Sequence, residues 1–327
     1  MSKPLKTSTD RFTSLPEHVA HEILKFLPLE DISRLSVVSR TCRQVCISMP
    51  SLKVNVVPYL YNATKRTQLM NYVDRLLSLR RGMDSRCLFI DWGLPSTEEV
   101  HRVLSWLHNA VVCNFKQLKL ILRLKSGSEF RVPPSLLCST SLESLTVNIS
   151  TSALLKFPSY CSSINGFSSL ESLTLCGVRI DESFSNWVSI CCKFLRKLCL
   201  SQIKETKSLV INSSSMYQLF ISSTYNNELC HLQVSAETLE YMTLRWEFDD
   251  SPNNRTLQLS IPKLQIFLWR GTVLSFPFTE NMACLKSLRS ITYTSHNLVR
   301  LYCDVCYLKS RSLGDILQVS NITIKVK

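Results

Sequence analysis

Residues Phe12–Pro50, FTSLPEHVAHEILKFLPLEDISRLSVVSRTCRQVCISMP, decide how the rest of the chain is organised. Ser14 followed by Glu17 has the form of a capping box, in which the hydroxyl accepts from a free backbone N–H and the carboxylate reaches back. With Pro16 in the first turn, this puts a helix start near Leu15. Leu15, Val19, Ile23 and Leu24 share one helical stripe, and Pro28 closes the segment by withholding a backbone donor. Glu30 and Asp31 sit at the positive end of a second helix, whose apolar face carries Ile32, Leu35 and Val38. Ser39 caps a third helix bearing Cys42, Val45, Cys46 and Met49, which Pro50 ends.

Three helices of about ten residues each bury too little surface to be stable alone, so a partner surface is implied. Leu15-Pro16, Ile23-Leu24, Leu27-Pro28-Leu29-Glu30-Asp31, Ile32, Leu35 and Val38-Ser39-Arg40, in this order, resemble an F-box. The resemblance implies docking on an SKP-type adaptor and, through it, on the cullin of a cullin–RING (SCF) ubiquitin ligase. It implies that Leu15, Pro16, Ile23, Leu24, Leu27, Pro28, Leu35 and Val38 face the adaptor. One position departs from the family pattern: the third helix carries Cys42 where a Trp is usual.

The chain has 327 residues, enough for about two domains, and 45% of them are apolar, as in a globular protein. No apolar run approaches the roughly 20 residues that cross a bilayer, and residues 1–11 form a polar, basic tail without a signal-peptide core. The expected location is the nucleus or cytoplasm, with no membrane contact. There the 14 cysteines are expected to be reduced and, beside Leu and Val, to behave as small hydrophobes. A net charge of +13 favours acidic partners. The Lys and Arg residues are dispersed, however, with no dense block interleaved with aromatics, which argues against nucleic-acid binding.

After the F-box-like segment (12–50), residues 51–84 read as a helical connector. Leu69, Tyr72, Val73, Leu76 and Leu77 recur at helical spacing and Gly82 terminates the helix. Arg86–Trp92 reads as a strand. Ser96 and Glu99 make a second capping box for a helix that buries Val100, Val103, Leu104 and Leu107, and Phe115–Leu122 reads as the next strand.

From there a repeat of the form L-x-x-L-x-L runs through residues 85–327. Its copies are Phe115/Leu118/Leu120, Leu142/Leu145/Val147, Leu170/Leu173/Leu175, Leu195/Leu198/Leu200, Met216/Leu219/Ile221, Leu239/Met242/Leu244, Leu264/Phe267/Trp269 and Leu288/Ile291/Tyr293. Successive copies start 21 to 28 residues apart, within the leucine-rich-repeat range of about 20–29. The fold class is therefore α/β: an N-terminal three-helix module, then a leucine-rich-repeat solenoid with a curved parallel sheet and outer helices or irregular turns. Each buried Leu contributes about 1.5–3 kcal/mol only once a neighbouring copy covers it.

Tyr72-Val73-Asp74-Arg75-Leu76-Leu77, the helix around Trp106 and Ala110, and Val132-Pro133-Pro134-Ser135-Leu136-Leu137-Cys138 resemble plant F-box proteins with leucine-rich repeats. Many of those carry a further C-terminal FBD module, whereas here the repeats are expected to run almost to Lys327.

No acid, base and nucleophile gather in one stretch, so no catalytic residue is assigned. Cys303 and Cys306, with His296 nearby, have one metal-like pair but no second, so they are read as core cysteines, with no metal and no cofactor. What remains is a binding face. Residues between the repeat leucines point to the concave side: small and polar at first (Ser144, Thr146, Asn148, then Ser172, Thr174, Cys176), then aromatic and basic. Lys197, Phe220, Tyr241, Arg245, Leu268 and Arg270 form the candidate target-binding stripe, suited to an acidic or phosphorylated segment. The resemblance implies a non-catalytic substrate-recognition subunit. Two other readings are a receptor in which a small molecule glues the target to the repeats, and a repeat scaffold independent of the adaptor.

Overall fold

A computed structural model of the chain describes residues 12, 14–83, 85–93, 96–124, 129–137, 139–149, 154–156, 168–180, 183–204, 206–223, 229–246, 255–271, 288–295, 300–303 and 322–326. Two units divide the chain, Met1–Leu120 and Ile121–Lys327.

The first unit opens with three short helices, α1 (Glu17–Leu24), α2 (Leu29–Leu35) and α3 (Arg40–Ile47). Ser39 caps α3 as expected, accepting from the Cys42 N–H at 3.0 Å. The capping box expected at Ser14/Glu17 does not form. Pro16 is the N-cap residue, without a side-chain cap, and the Glu17 carboxylate is taken up across the bundle by the Ser48 hydroxyl and, within α1 at 3.6 Å, by the His21 ring. His21 itself reaches the Val45 carbonyl and Ser48, joining α1 to α3. Leu24, Leu29, Ile32, Cys42, Cys46, Ile47 and Met49 fill the interior.

Strand β1 (Ser51–Asn55) follows, then a 3-10 turn at Val57–Tyr59 and the long helix α4 (Ala63–Leu79), which Gly82 ends in the left-handed region at φ 75°. Then come β2 (Ser85–Gly93), α5 (Thr97–Val112) and β3 (Phe115–Arg123). β1 pairs with β2 in parallel, Leu52 opposite Leu88 and Val54 opposite Ile90, and β3 follows β2 in the sheet. The first strand–helix–strand segment thus belongs with the N-terminal helices, while the expected division lay at 84/85.

Buried polar contacts tie these pieces together. The Arg80 side chain, 1% exposed, donates to the carbonyls of Ile47 and Met49 and, at 2.8 Å, to the Ser85 hydroxyl, and it lies 5.7 Å over the Phe115 ring. Burial pulls its pKa down to about 10, so it is still a cation at neutral pH. Arg66 makes a bidentate pair with Glu99 (3.0 and 2.5 Å), donates to the Gly93 carbonyl at 2.8 Å and lies over Trp92. This is why only half of the second capping box appears. Ser96 accepts from the Glu99 N–H at 3.3 Å, but the Glu99 carboxylate is drawn into the interior. The buried face of α5 is accordingly Glu99, Val103, Trp106, Leu107 and Ala110, with Val100 and Leu104 half-buried. Asp74 accepts from Arg102 (2.7 Å) and from the Trp106 indole N–H (2.5 Å), clamping α4 to α5.

The second unit contains β4 (Glu129–Arg131), α6 (Pro134–Leu137), β5 (Ser144–Ile149), β6 (Leu154–Lys156), β7 (Ser172–Cys176), α7 (Ser183–Cys191) and β8 (Lys197–Ser201). From there it is described as strands: β9 (Ser208–Ser213), β10 (Gln218–Ser223), β11 (His231–Ala236), β12 (Tyr241–Trp246), β13 (Arg255–Ser260), β14 (Ile266–Gly271), β15 (Leu288–Ser295), β16 (Arg300–Cys303) and β17 (Ile322–Val326). One parallel sheet runs β5-β7-β8-β10-β12-β14-β16, and a second runs β9-β11-β13-β15-β17.

The repeat leucines stack in register. Leu145, Leu173, Leu198, Leu219 and Met242 form one buried row, and Val147, Leu175, Leu200, Ile221 and Leu244 the next. The second sheet buries Leu209 and Leu232, then Ile211, Val234 and Leu259. In these later repeats it stands where helices or irregular turns were expected. The copy assigned to Leu288/Ile291/Tyr293 falls on β15 in the second sheet, and β16 continues the first instead. A strand of alternating apolar residues satisfies the repeat pattern in either sheet, so the pattern alone misplaces it.

Main-chain bonds set the spacing. The Glu143 carbonyl accepts from both Glu171 and Ser172; Glu171 accepts from Arg196 and Lys197, Arg196 from Tyr217 and Gln218, Tyr217 from Glu240 and Tyr241, and Glu240 from Gln265 and Ile266, all at 2.8–3.1 Å. Gly177, at φ 69°, passes so close to the Ile149 carbonyl that a Cβ would overlap it.

Replacing Arg80 with Leu strands two carbonyls at the end of α3 and should lower stability by about 2–4 kcal/mol, read as a shifted urea midpoint. An unchanged midpoint would mean that packing alone holds this end. A second expectation concerns pH. The Tyr59 hydroxyl donates to Glu30 at 2.6 Å, which holds the Glu30 carboxyl below its ordinary range and pushes the phenol up to about 12. A depressed carboxyl pKa stabilises the fold above the unfolded value of about 4.3 and stops doing so as the pH falls through the folded value. The stability gap between wild type and Tyr59→Phe should therefore close in acid, and a gap constant down to low pH would contradict this.

Candidate functional site

The surface of the three-helix module is unusual for its size. Proline-bounded ends leave α1 and α2 short, and the residues between them and after α2 are apolar yet outside the core. Phe26 is 87% exposed, Val37 70% and Val38 69%; Ile23, Leu27, Pro16 and Pro28 are exposed too. Leu15 and Leu35 are half-buried. Of the eight residues expected to face an adaptor, Leu24 is the clear correction: at 0% exposure it belongs to the interior, because the Ile23–Leu24 pair straddles the boundary between the two faces of α1. Cys42 lies in the same interior. Phe26 and Val37 were not in the expected set. Both stand beside expected positions but off the helical stripe, and an aromatic residue off the stripe of a short amphipathic helix is the signal that could have found Phe26.

In the second unit, pairing brings the candidate target-binding residues into rows on the face that the leucines leave. Lys197 shares a row with Ser172, Gln218, Tyr241, Ile266 and Arg300. Phe220 and Leu268 share the next with Thr174, Cys199, Thr243 and Tyr302. Arg245 and Arg270 are direct register partners on adjacent strands, in line with Ser222. Lys197 and Arg245 are exposed, and Phe220, Tyr241 and Leu268 half-buried. Tyr217, just before β10, was missed: its ring lies 5.0 Å from that of Tyr241, and the hydrogen bond between the two phenols pushes its pKa up to about 12. It sits at an apolar position's flank rather than between two leucines, so the alternation did not point to it.

Nucleophilic chemistry finds little support. Burial pushes the Cys46 thiol up to about 11 and moves Cys87, Cys113 and Cys199 upward as well, opposite to the shift an attacking thiolate needs. Cys303 lies in β16, while Cys306 and His296 fall outside the described residues. Among the described residues, no helix is long and apolar enough to cross a membrane.

Comparison with known proteins matches two family models. Residues 12–53 fit the F-box domain model, and residues 103–275 fit the model described as "FBD-associated F-box protein At5g56370, LRR repeats". The putative F-box/FBD/LRR-repeat protein At4g03220 of Arabidopsis thaliana is 24% identical over 94% of this chain and 62% of its own length. The F-box/LRR-repeat protein At4g14103 from the same plant is 32% identical over 42% of this chain and 36% of its own. The putative F-box/LRR-repeat protein At3g28410, also from Arabidopsis thaliana, is 26% identical over 97% of this chain and 64% of its own. The chain thus spans less than two thirds of each of these relatives. With an F-box at its N-terminus and the repeat model covering more than half of its residues, the chain belongs to the family of F-box proteins with FBD-associated leucine-rich repeats.

Proposed function

We propose that the chain is the substrate-recognition subunit of an SCF ubiquitin ligase. Its F-box binds an SKP-type adaptor and, through it, a cullin, and its repeats hold a target protein for ubiquitination. The observation that carries the reading is the exposed apolar strip of Pro16, Ile23, Phe26, Leu27, Pro28, Val37 and Val38 on a module whose interior is already filled by other residues. Such a strip on so small a surface is costly unless a partner covers it. The role is non-catalytic: the subunit raises the effective concentration of target near the ubiquitin-charged enzyme. It requires no cofactor, nucleic acid or membrane, and it operates in the nucleus or cytoplasm.

The target-facing part of the reading rests on the rows through Lys197, Tyr241, Phe220, Leu268, Arg245 and Arg270. Paired arginines on neighbouring strands suit a carboxylate or phosphate group, and the aromatic rows supply anchors, so an acidic or phosphorylated segment is the expected ligand.

Titration calorimetry of the chain against an SKP-type adaptor tests the first half. Ile23→Asp with Val38→Asp should weaken binding more than about 25-fold, the equivalent of about 2 kcal/mol, with little change in melting temperature because both side chains are exposed. Leu24→Ala should behave in the opposite sense, costing about 2–5 kcal/mol of stability as a core truncation. No binding by the wild type would refute the adaptor role. For the second half, Arg245→Glu with Arg270→Glu should reduce the proteins retained from an extract while leaving adaptor affinity intact. Identical retained sets would show that the stripe is not the target site.

A further inference from the structure

The F-box and the connector helix enclose a pocket that the adaptor strip does not explain. It lies between α2, α3 and α4, has a volume of about 210 Å³, and is lined by Ser33, Val37, Arg43, Tyr72, Arg75 and Leu79 among others. That is below the roughly 300–1,000 Å³ of small-molecule sites and of a size to take a single side chain.

Its free polar groups are donors. Arg43 spends Nε on the Ser36 carbonyl at 3.2 Å, which leaves both terminal nitrogens. The Arg75 guanidinium, on the residue next to Asp74 in α4, has no partner among the described residues, and Asp74 is taken by Arg102 and Trp106. The Tyr72 hydroxyl is buried and makes no hydrogen bond of good geometry, although Ser36 adjoins it. The Ser33 and Ser36 hydroxyls donate to the Glu30 and Ser33 carbonyls. No carboxylate lines the pocket. The acidic residues of α2 are engaged elsewhere, Glu30 by Tyr59 and Arg34 and Asp31 by Arg34. Two guanidiniums and a phenol O–H with no acceptor among them call for an anionic oxygen supplied from outside.

The position names the source. Val37 on the rim is 70% exposed and continues directly into Val38 of the adaptor strip, while Leu79 opposite is 46% exposed. We propose that this pocket receives a carboxylate side chain of the adaptor between Arg43 and Arg75, with an apolar neighbour of that residue covering Val37 and Leu79. This rests on the adaptor reading and adds to it a polar anchor formed jointly by the F-box and the connector. The connector is then part of the binding surface, and an F-box excised at Pro50 lacks half of it.

The test uses the full chain and a purified SKP-type adaptor in titration calorimetry at two salt concentrations. Arg43→Glu with Arg75→Glu should weaken binding at least about 10-fold, and Tyr72→Phe a few-fold, as for loss of charge-assisted and single hydrogen bonds. Lys193→Glu with Arg196→Glu, which makes the same change in net charge on exposed residues of the second unit, should stay within about threefold of wild type. Circular dichroism melting of each variant confirms that exposed substitutions leave the fold intact. Wild-type affinity in the Arg43/Arg75 variant, or an equal loss in the control, overturns the pocket while leaving the adaptor reading standing. Absence of binding by the wild type removes both.

Discussion

The buried guanidinium of Arg80 ties the end of α3 to α4 and β2 in the first unit. Helix α3 ends with carbonyls that no further turn can satisfy, because Pro50 follows and the chain must leave as a strand. Arg80, at the far end of α4, supplies the donors: its guanidinium reaches the Ile47 and Met49 carbonyls and, on its other side, the first residue of β2. Burying a guanidinium without a carboxylate is expensive, as its lowered pKa records. The expense is offset by neutral acceptors that would otherwise be orphaned and by the Phe115 ring beneath it. The F-box therefore has no independent C-terminal boundary. Its last backbone groups are completed by the connector, and the Tyr59 hydroxyl adds a side-chain bond to Glu30 of α2.

The repeats solve the same accounting differently. Each strand start accepts two N–H groups from the next repeat through one carbonyl, from Glu143 through to Glu240, and Lys207 does so in the second sheet for Cys230 and His231. In the first unit Pro50 plays that part for Arg86 and Cys87. Because the acceptor is always a main-chain carbonyl, the spacing between strands does not depend on which side chain follows. Leucines fill the interior and main chain fixes the register, so a repeat is stable only when stacked on its neighbours.

Much of this was legible in the chain itself. The order Leu-Pro, Ile-Leu, Leu-Pro-Leu-Glu-Asp and Val-Ser-Arg gave the three helices, Gly82 the end of the connector, and the leucine triplets most of the first sheet. What failed did so for identifiable reasons. Glu17 and Glu99 both sit at capping-box spacing, yet each carboxylate found a partner across the bundle, Ser48 for one and Arg66 for the other. Local patterns cannot see a partner more than thirty residues away. Leu24 and Ile23 are neighbours of equal hydrophobicity, and periodicity alone does not say which faces the core and which a partner. The second sheet was missed although Leu232-Gln233-Val234 alternates cleanly, because helices were expected on that side.

The separation of interior from register has a functional consequence. Positions between the leucines lie outside the buried rows and set no strand spacing, so their identity is less bound by the demands of folding. Along the rows they change from Ser172, Thr174 and Cys176 at one end to Tyr241, Arg245 and Leu268 further on, while the leucine rows beside them hardly change. The F-box shows the converse arrangement, with apolar residues kept on the outside where stability would not keep them. One unit thus carries a surface that is unfavourable until covered, and the other a surface that folding leaves open to choice.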